Sequence, residues 1–194
     1  GQRIPVPDFL SDNAPDLNRN FPHAWAPEHQ QSGAGPYPTS EPESRAIVDF
    51  AAQHPNLFAW LNLHTFGGVF IRPLSDAPDT EMDRSDLALY NQVAAWAEEL
   101  TGYPTVNGHD EFTYEPGKPL HGDLTDFAYH HCGCFAMVCE LWDLFARLGI
   151  ERKIPFVDHY THLTREQLLE LGHWDARHNA SRMLRPWKRV NHPQ

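Results

Sequence analysis

Four residues of this 194-residue chain combine side-chain type and position in a way that suits recognition or catalysis. Asn18 and Arg19 sit in DLNRNFP (Asp16 to Pro22), His64 ends the run LNLH, and Glu140 interrupts FAMVCELWD. A guanidinium presents a planar fork of donors that matches a carboxylate, and a neighbouring amide adds a neutral donor, so Asn18 and Arg19 are suited to gripping an acid group. His64 lies where a strand ends, and groups just beyond the carboxyl ends of strands line the ligand crevice of open α/β sheets. Glu140 falls inside a run that would otherwise be buried, where a carboxylate is costly unless it is paired, binds a metal or belongs to a catalytic site. Each residue also has a plainer reading. His64 can be a hydrogen-bonded structural histidine, Glu140 an internal partner for Arg19, and the Asn-Arg pair a loop brace.

The elements that must position these groups follow from pattern. Residues Gly1 to Tyr37 are too rich in Pro, Asp, Asn and Gly for regular structure. In SEPESRAIVDFAAQH, Ser40 and Glu43 have the spacing of a capping box, with Ala46, Ile47, Phe50 and Ala51 as an apolar face. Asn56 to His64 reads as a buried strand and Gly68 to Pro73 as a second. From Asp83 to Leu100, Leu89, Val93, Trp96 and Leu100 recur at helical spacing before Gly102. After a loop over Gly102 to Gly122 comes a short helix, Asp123 to Tyr129, and a buried strand, Phe135 to Leu141. A last helix starts at Thr164, with Thr164 and Gln167 as a capping box and Leu163 and Leu168 as a hydrophobic staple. Strands alternating with helices imply a layered α/β domain, and the length suits one domain over 1–194.

Composition narrows the partners. A formal charge of -11, with no dense run among 15 Lys and Arg, argues against a nucleic-acid surface. No apolar run approaches the ~20 residues that span a bilayer. Three cysteines, Cys132, Cys134 and Cys139, do not form a disulfide framework, and their spacing is not CxxC, so reduced thiols are expected.

In order, DLNRNFP, PYPTSEPESRAIVDF, LNLHTFGG, GDLTDFAY and VCELWD resemble the zinc carboxypeptidase family of metallopeptidases, the carboxypeptidase A type, over roughly Asp16 to Asp143. The resemblance implies a mixed, mostly parallel sheet flanked by helices. It also implies a Zn2+ cofactor and a peptide or protein substrate with a free C-terminal carboxylate. Carried over residue by residue, it makes His64 a zinc ligand, Glu140 the general base, and Asn18 with Arg19 the pair that binds the terminal carboxylate. Arg3 falls near the family's oxyanion-stabilising arginine. Tyr114 is the nearest counterpart of the tyrosine that closes over substrate, although the register points at Lys118. Thr125 takes the place at the base of the specificity pocket. It is neither an acid nor a large apolar residue, and His121 and Asp123 nearby can admit a polar group.

One departure matters. The family takes two further zinc ligands from an HxxE motif upstream of the Asn-Arg pair, and none of the thirteen histidines is followed three residues later by Glu. Other pairs, His159 and His162 with Glu166, or His173 and His178, fall in an expected loop and a solvated helix. A catalytic zinc takes about three protein ligands. The expectation is therefore a partial domain whose HxxE-bearing part lies elsewhere. A carboxylate-binding relative without metal is the alternative, or a deglutamylase or cell-wall peptide amidase on the same fold.

Overall fold

The computed structural model describes residues 15–113, 115, 117–153, 159 and 163–183. Its centre is a four-stranded mixed sheet in the order β1-β4-β2-β3, formed by β1 (Ala59–Thr65), β2 (Val69–Arg72), β3 (Thr105–Asn107) and β4 (Phe135–Leu141). β4 runs parallel to β1 and antiparallel to β2, while β2 and β3 are parallel. Among the described residues the sheet is joined by helices α1 (Pro42–Gln53), α2 (Arg84–Thr101), α3 (Leu124–Cys132), α4 (Leu144–Arg147) and α5 (Arg165–His178), with 3-10 turns at Leu17–Arg19 and Asp79–Glu81. This is the α/β arrangement expected of the alternating pattern.

β4 is the buried axis. Ala136 through Glu140 are all buried, and the run FAMVC supplies apolar side chains on both faces, as a strand covered from both sides requires. Val138 packs with Val69, Ile71 and Val106, and Met137 with Leu74, Met82 and Tyr90.

β1 corrects an expectation. The run is expected to be buried, but it lies at the sheet edge among the described strands, with residues alternating exposed and half-buried and with Leu61 56% and Leu63 59% exposed. Trp60 points the other way and packs with Phe21, Ala51, Leu124 and Phe127. Continuous hydrophobicity cannot separate a strand covered on two faces from one covered on one face, and that ambiguity is what misled.

Two helix details differ as well. α1 begins at Pro42 with Glu41 as N-cap and no side-chain cap, because proline fixes φ and suits the first helical turn. The hydroxyl of Ser40 donates instead to Glu41 Oε1 and accepts from Asn20 Nδ2. On α2, Leu89, Trp96 and Leu100 are exposed, and the buried face is carried by Tyr90 with Leu87 and Val93. The Tyr90 hydroxyl both donates to Ala136 O and accepts from Ala136 N, so a polar tip draws this face inward. The stop of α2 at Gly102 and the Thr164–Gln167 capping box form as expected, and Asp83 caps the start of α2 by accepting from Ser85 N and Asp86 N. Leu163 and Leu168 both pack in the cluster around Leu144 and Phe145. All three cysteines are free thiols.

Candidate active site

Because β1 and β4 are parallel, their carboxyl ends meet at one edge of the sheet, and their register sets His64 beside Glu140. The His64 Nδ1 lies 3.6 Å from Glu140 Oε1. The other ring nitrogen, Nε2, is 2.9 Å from Asn62 Nδ2, which leaves Nδ1 as the nitrogen facing the acid. Burial pushes the Glu140 carboxyl up to about 7. Burial also holds the His64 imidazole below its ordinary value, an effect that Asp16 opposes and Arg19 reinforces. Both groups are thus driven towards their neutral forms near pH 7, and their contact is not a simple ion pair. The second Glu140 oxygen, Oε2, is buried without a hydrogen-bond partner.

A third segment brings the Asn-Arg pair. Asp16 caps the 3-10 turn Leu17–Arg19 by accepting from Asn18 N at 2.9 Å. Asn20, fully buried, then anchors the loop. Its Nδ2 donates to Ala34 O, Tyr37 O and Ser40 Oγ, and its Oδ1 accepts from Glu41 N and Ser44 Oγ. The loop docks on the start of α3, where Phe21 N donates to Gly122 O at 2.8 Å and Asn18 Oδ1 accepts from Leu124 N at 3.1 Å. Gly122 has φ 69°, and a Cβ there would lie 2.6 Å from Arg19 O, so only glycine permits this approach. With its oxygen engaged, Asn18 retains the amide Nδ2 as a donor.

These segments enclose a cleft of about 140 Å³ whose rim includes Asn18, Arg19, His64 and Glu140. Ile71, Val138, Phe112 and Leu120 give it apolar walls, and Asp123 adds a carboxylate. Asp123 also caps α3, its Oδ1 accepting from Thr125 N and Asp126 N. Asp126 accepts from Ser75 N, and burial followed by the nearby Asp123 pushes its carboxyl well up.

The candidate residues therefore divide. Asn18, Arg19, His64 and Glu140, from three separate stretches, share one cleft. Thr125 is buried on the first turn of α3 and is not part of the lining, whereas Asp123, two residues earlier, is. Lys118 is exposed and pairs with Glu115 at 2.8 Å. Arg3, Tyr114 and His162 lie outside the described residues. His159 is buried against Phe145. Sequence reasoning missed Asn20 and Gly122, which hold the clamp loop in place. The only available signal was the second asparagine of DLNRN.

The sequence pattern of zinc carboxypeptidases matches residues 11–148, most of the chain. This chain belongs to the zinc carboxypeptidase family. Among its relatives, bovine (Bos taurus) carboxypeptidase B2 is 32% identical over 92 residues, covering 43% of this chain and 22% of the relative. Mouse (Mus musculus) carboxypeptidase A1 is 27% identical over 124 residues, covering 61% of this chain and 26% of the relative. The solved structure of thrombin activatable fibrinolysis inhibitor superposes with a TM-score of 0.53 at 26% identity, over 66% of this chain and 33% of that one. The chain thus spans between a fifth and a third of the length of these three proteins.

Family membership brings zinc into question, and His64 suits one coordination position: it is half-exposed at a strand end, with one nitrogen held by Asn62 and the other facing a cleft. Among the described residues no three His, Cys, Asp or Glu side chains converge to hold a metal ion. The described residues therefore fit one ligand of the set and not the whole set.

Proposed function

We propose that this chain carries the carboxylate-binding and general-base part of a zinc metallocarboxypeptidase, acting on the C-terminal peptide bond of peptides or proteins, with the other zinc ligands supplied from outside the described residues. The observation that carries this reading is the convergence of the His64–Glu140 pair and the Asn18-Arg19 turn on one cleft. Arg19 grips the terminal carboxylate through a bidentate fork and Asn18 adds its amide hydrogen, which fixes the scissile carbonyl relative to Glu140. Zinc held by His64 and the further ligands would supply a water of lowered pKa. Glu140, raised to about 7, is poised to take a proton from water and return it to the leaving amine. Arg3 is the candidate for oxyanion stabilisation and Tyr114 for closure over the substrate.

Thr125 stands at the family's specificity position, and Asp123 offers the carboxylate nearer the lumen. A second reading, a carboxylate-binding module without turnover, draws on the described residues, among which no three His, Cys, Asp or Glu side chains converge to hold a metal ion. Glu140 weighs against it, since a binder gains nothing from burying an acid. A deglutamylase or cell-wall peptide amidase would use the same groups on a different peptide.

Calorimetric titration of this chain with one acetylated peptide, as its free acid and as its C-terminal amide, tests the clamp. The free acid should bind about 10-fold or more tightly than the amide, and Arg19→Ala should erase that difference, in line with a charged hydrogen bond worth ~1.5–3 kcal/mol. Equal affinity for both peptides in the unsubstituted chain would sink the assignment.

A further inference from the structure

Outside the cleft, four histidines gather where the clamp loop meets α3. His23, two residues beyond the Phe21 anchor, stacks flat on His130 with ring centroids 3.9 Å apart and planes within 9°. His131 meets His23 edge-on at 5.5 Å and packs against Phe127. Nε2 of His23 lies 3.8 Å from Asp76 Oδ2, in the loop after β2. From the segment before α3, His121 and Asp123 add their fields, and on α3 the Tyr129 ring stands edge-on to His130 at 4.8 Å while its hydroxyl donates to Asp86 Oδ2. Flat stacking at this distance suits two neutral imidazoles. Two imidazolium rings so placed would repel by several times thermal energy at the dielectric of a partly buried site.

We propose that the His23–His130 stack is an acid-sensitive latch that holds the Asn18-Arg19 loop on α3 at neutral pH and releases its hold as the two rings acquire protons. Three features set its balance. Asp76 favours a first proton on His23, and the carboxyl end of α3 favours one on His130. His131 opposes both, His121 opposes the proton on His23, and the stack itself opposes the second proton. Burial is the largest influence on each ring and holds both below the ordinary histidine value, with the partner ring pushing His130 further down. The sign follows. The unfolded chain takes up protons near pH ~6.5, before the folded pair does, so stability from the stack is complete above that value and is lost as the pH falls through it. The latch acts on the loop's order and does not depend on the peptidase reading, because it requires neither zinc nor substrate.

The test is an NMR titration of the imidazole Cε1–H signals and the backbone amides of this chain between about pH 5 and about pH 8, the range in which histidine changes charge. His23 and His130 should both titrate below ~6.5, the amides of Asn18 and Arg19 should shift with the His23 midpoint, and His23→Phe should raise the His130 midpoint by about half a unit or more. The same variant keeps a stacked ring, and its thermal midpoint should fall less on acidification than that of the unsubstituted chain, by roughly 3 °C. A His23 or His130 midpoint at or above ~6.5 in the unsubstituted chain overturns the latch, as does a His130 midpoint untouched by His23→Phe or loop amides that ignore the His23 titration. If His23→Phe fails to fold, the titration of the unsubstituted chain decides alone.

Discussion

Strands β1 and β4 lie side by side in perfect register, yet they do opposite work. β4 is covered on both faces and buries Glu140 to 7% exposure, while β1 has one bare face and leaves His64 half-exposed. The difference matches the chemistry each residue would perform. A general base operating near pH 7 needs a carboxyl raised far above its usual range, which burial in a covered strand supplies. A metal ligand needs a neutral nitrogen within reach of an ion, which a strand end at the sheet edge supplies. One parallel pairing therefore delivers two side chains, 3.6 Å apart, with contrasting environments.

The sharpest way to break this contrast is to empty the covered strand. Met137 is 4% exposed and packs with Tyr90, Met82 and Leu74. Met137→Ala should destabilise the chain by about 2–4 kcal/mol in urea unfolding, the range for large-to-small changes in a packed core. A cost below about 1 kcal/mol would mean that β4 is not the covered strand it is described to be.

Next comes the acid on that strand. The Glu140 carboxyl is raised from 4.5 to about 7 in the fold. A raised carboxyl favours the protonated form, so the folded state is unpenalised below the unfolded value and loses stability as the pH rises towards 7. Glu140→Gln removes the charge and should make the chain more stable than the unsubstituted form at about pH 8, by on the order of 1–3 kcal/mol, with no difference at about pH 4. On the function proposed above, the same substitution should abolish turnover while leaving carboxylate binding in place. Stability curves that run parallel across the whole range would show that Glu140 carries its charge at no cost.

Much of this arrangement was legible in the sequence, for identifiable reasons. β4 could be read because FAMVC is apolar on both alternating sets of positions. α2 and α5 could be bounded because Asp83, Gly102 and the Thr164–Gln167 box are local signals that act within one helical turn. The face of α2 could not, because the Tyr90 hydroxyl is held by the backbone of Ala136 in β4, a contact 46 residues away. Nor could the setting of the clamp loop. Asn20 reaches Ala34, Tyr37, Ser40 and Ser44, and Gly122 meets Arg19, through contacts that only the folded chain brings together. Asn18, Arg19, His64 and Glu140 could be named from the sequence, but their common cleft depends on those contacts.

The smallest effect belongs to the bare face of β1. Leu61 stands 56% exposed, so truncating it removes little surface that folding has buried. An edge position also constrains strand propensity weakly, and Leu61→Thr exchanges one side chain compatible with a strand for another. The substitution should therefore change unfolding free energy by less than about 0.5 kcal/mol, the level of ordinary surface changes, and should leave the His64 and Glu140 titrations where they are. Proton NMR with urea unfolding reads both quantities on one sample. A loss comparable to that of Met137→Ala would mean that this face is covered in solution. The contrast between the two strands would then disappear, while the half-exposure of His64, which shares the opposite face of β1 with Trp60 and Asn62, would need no change.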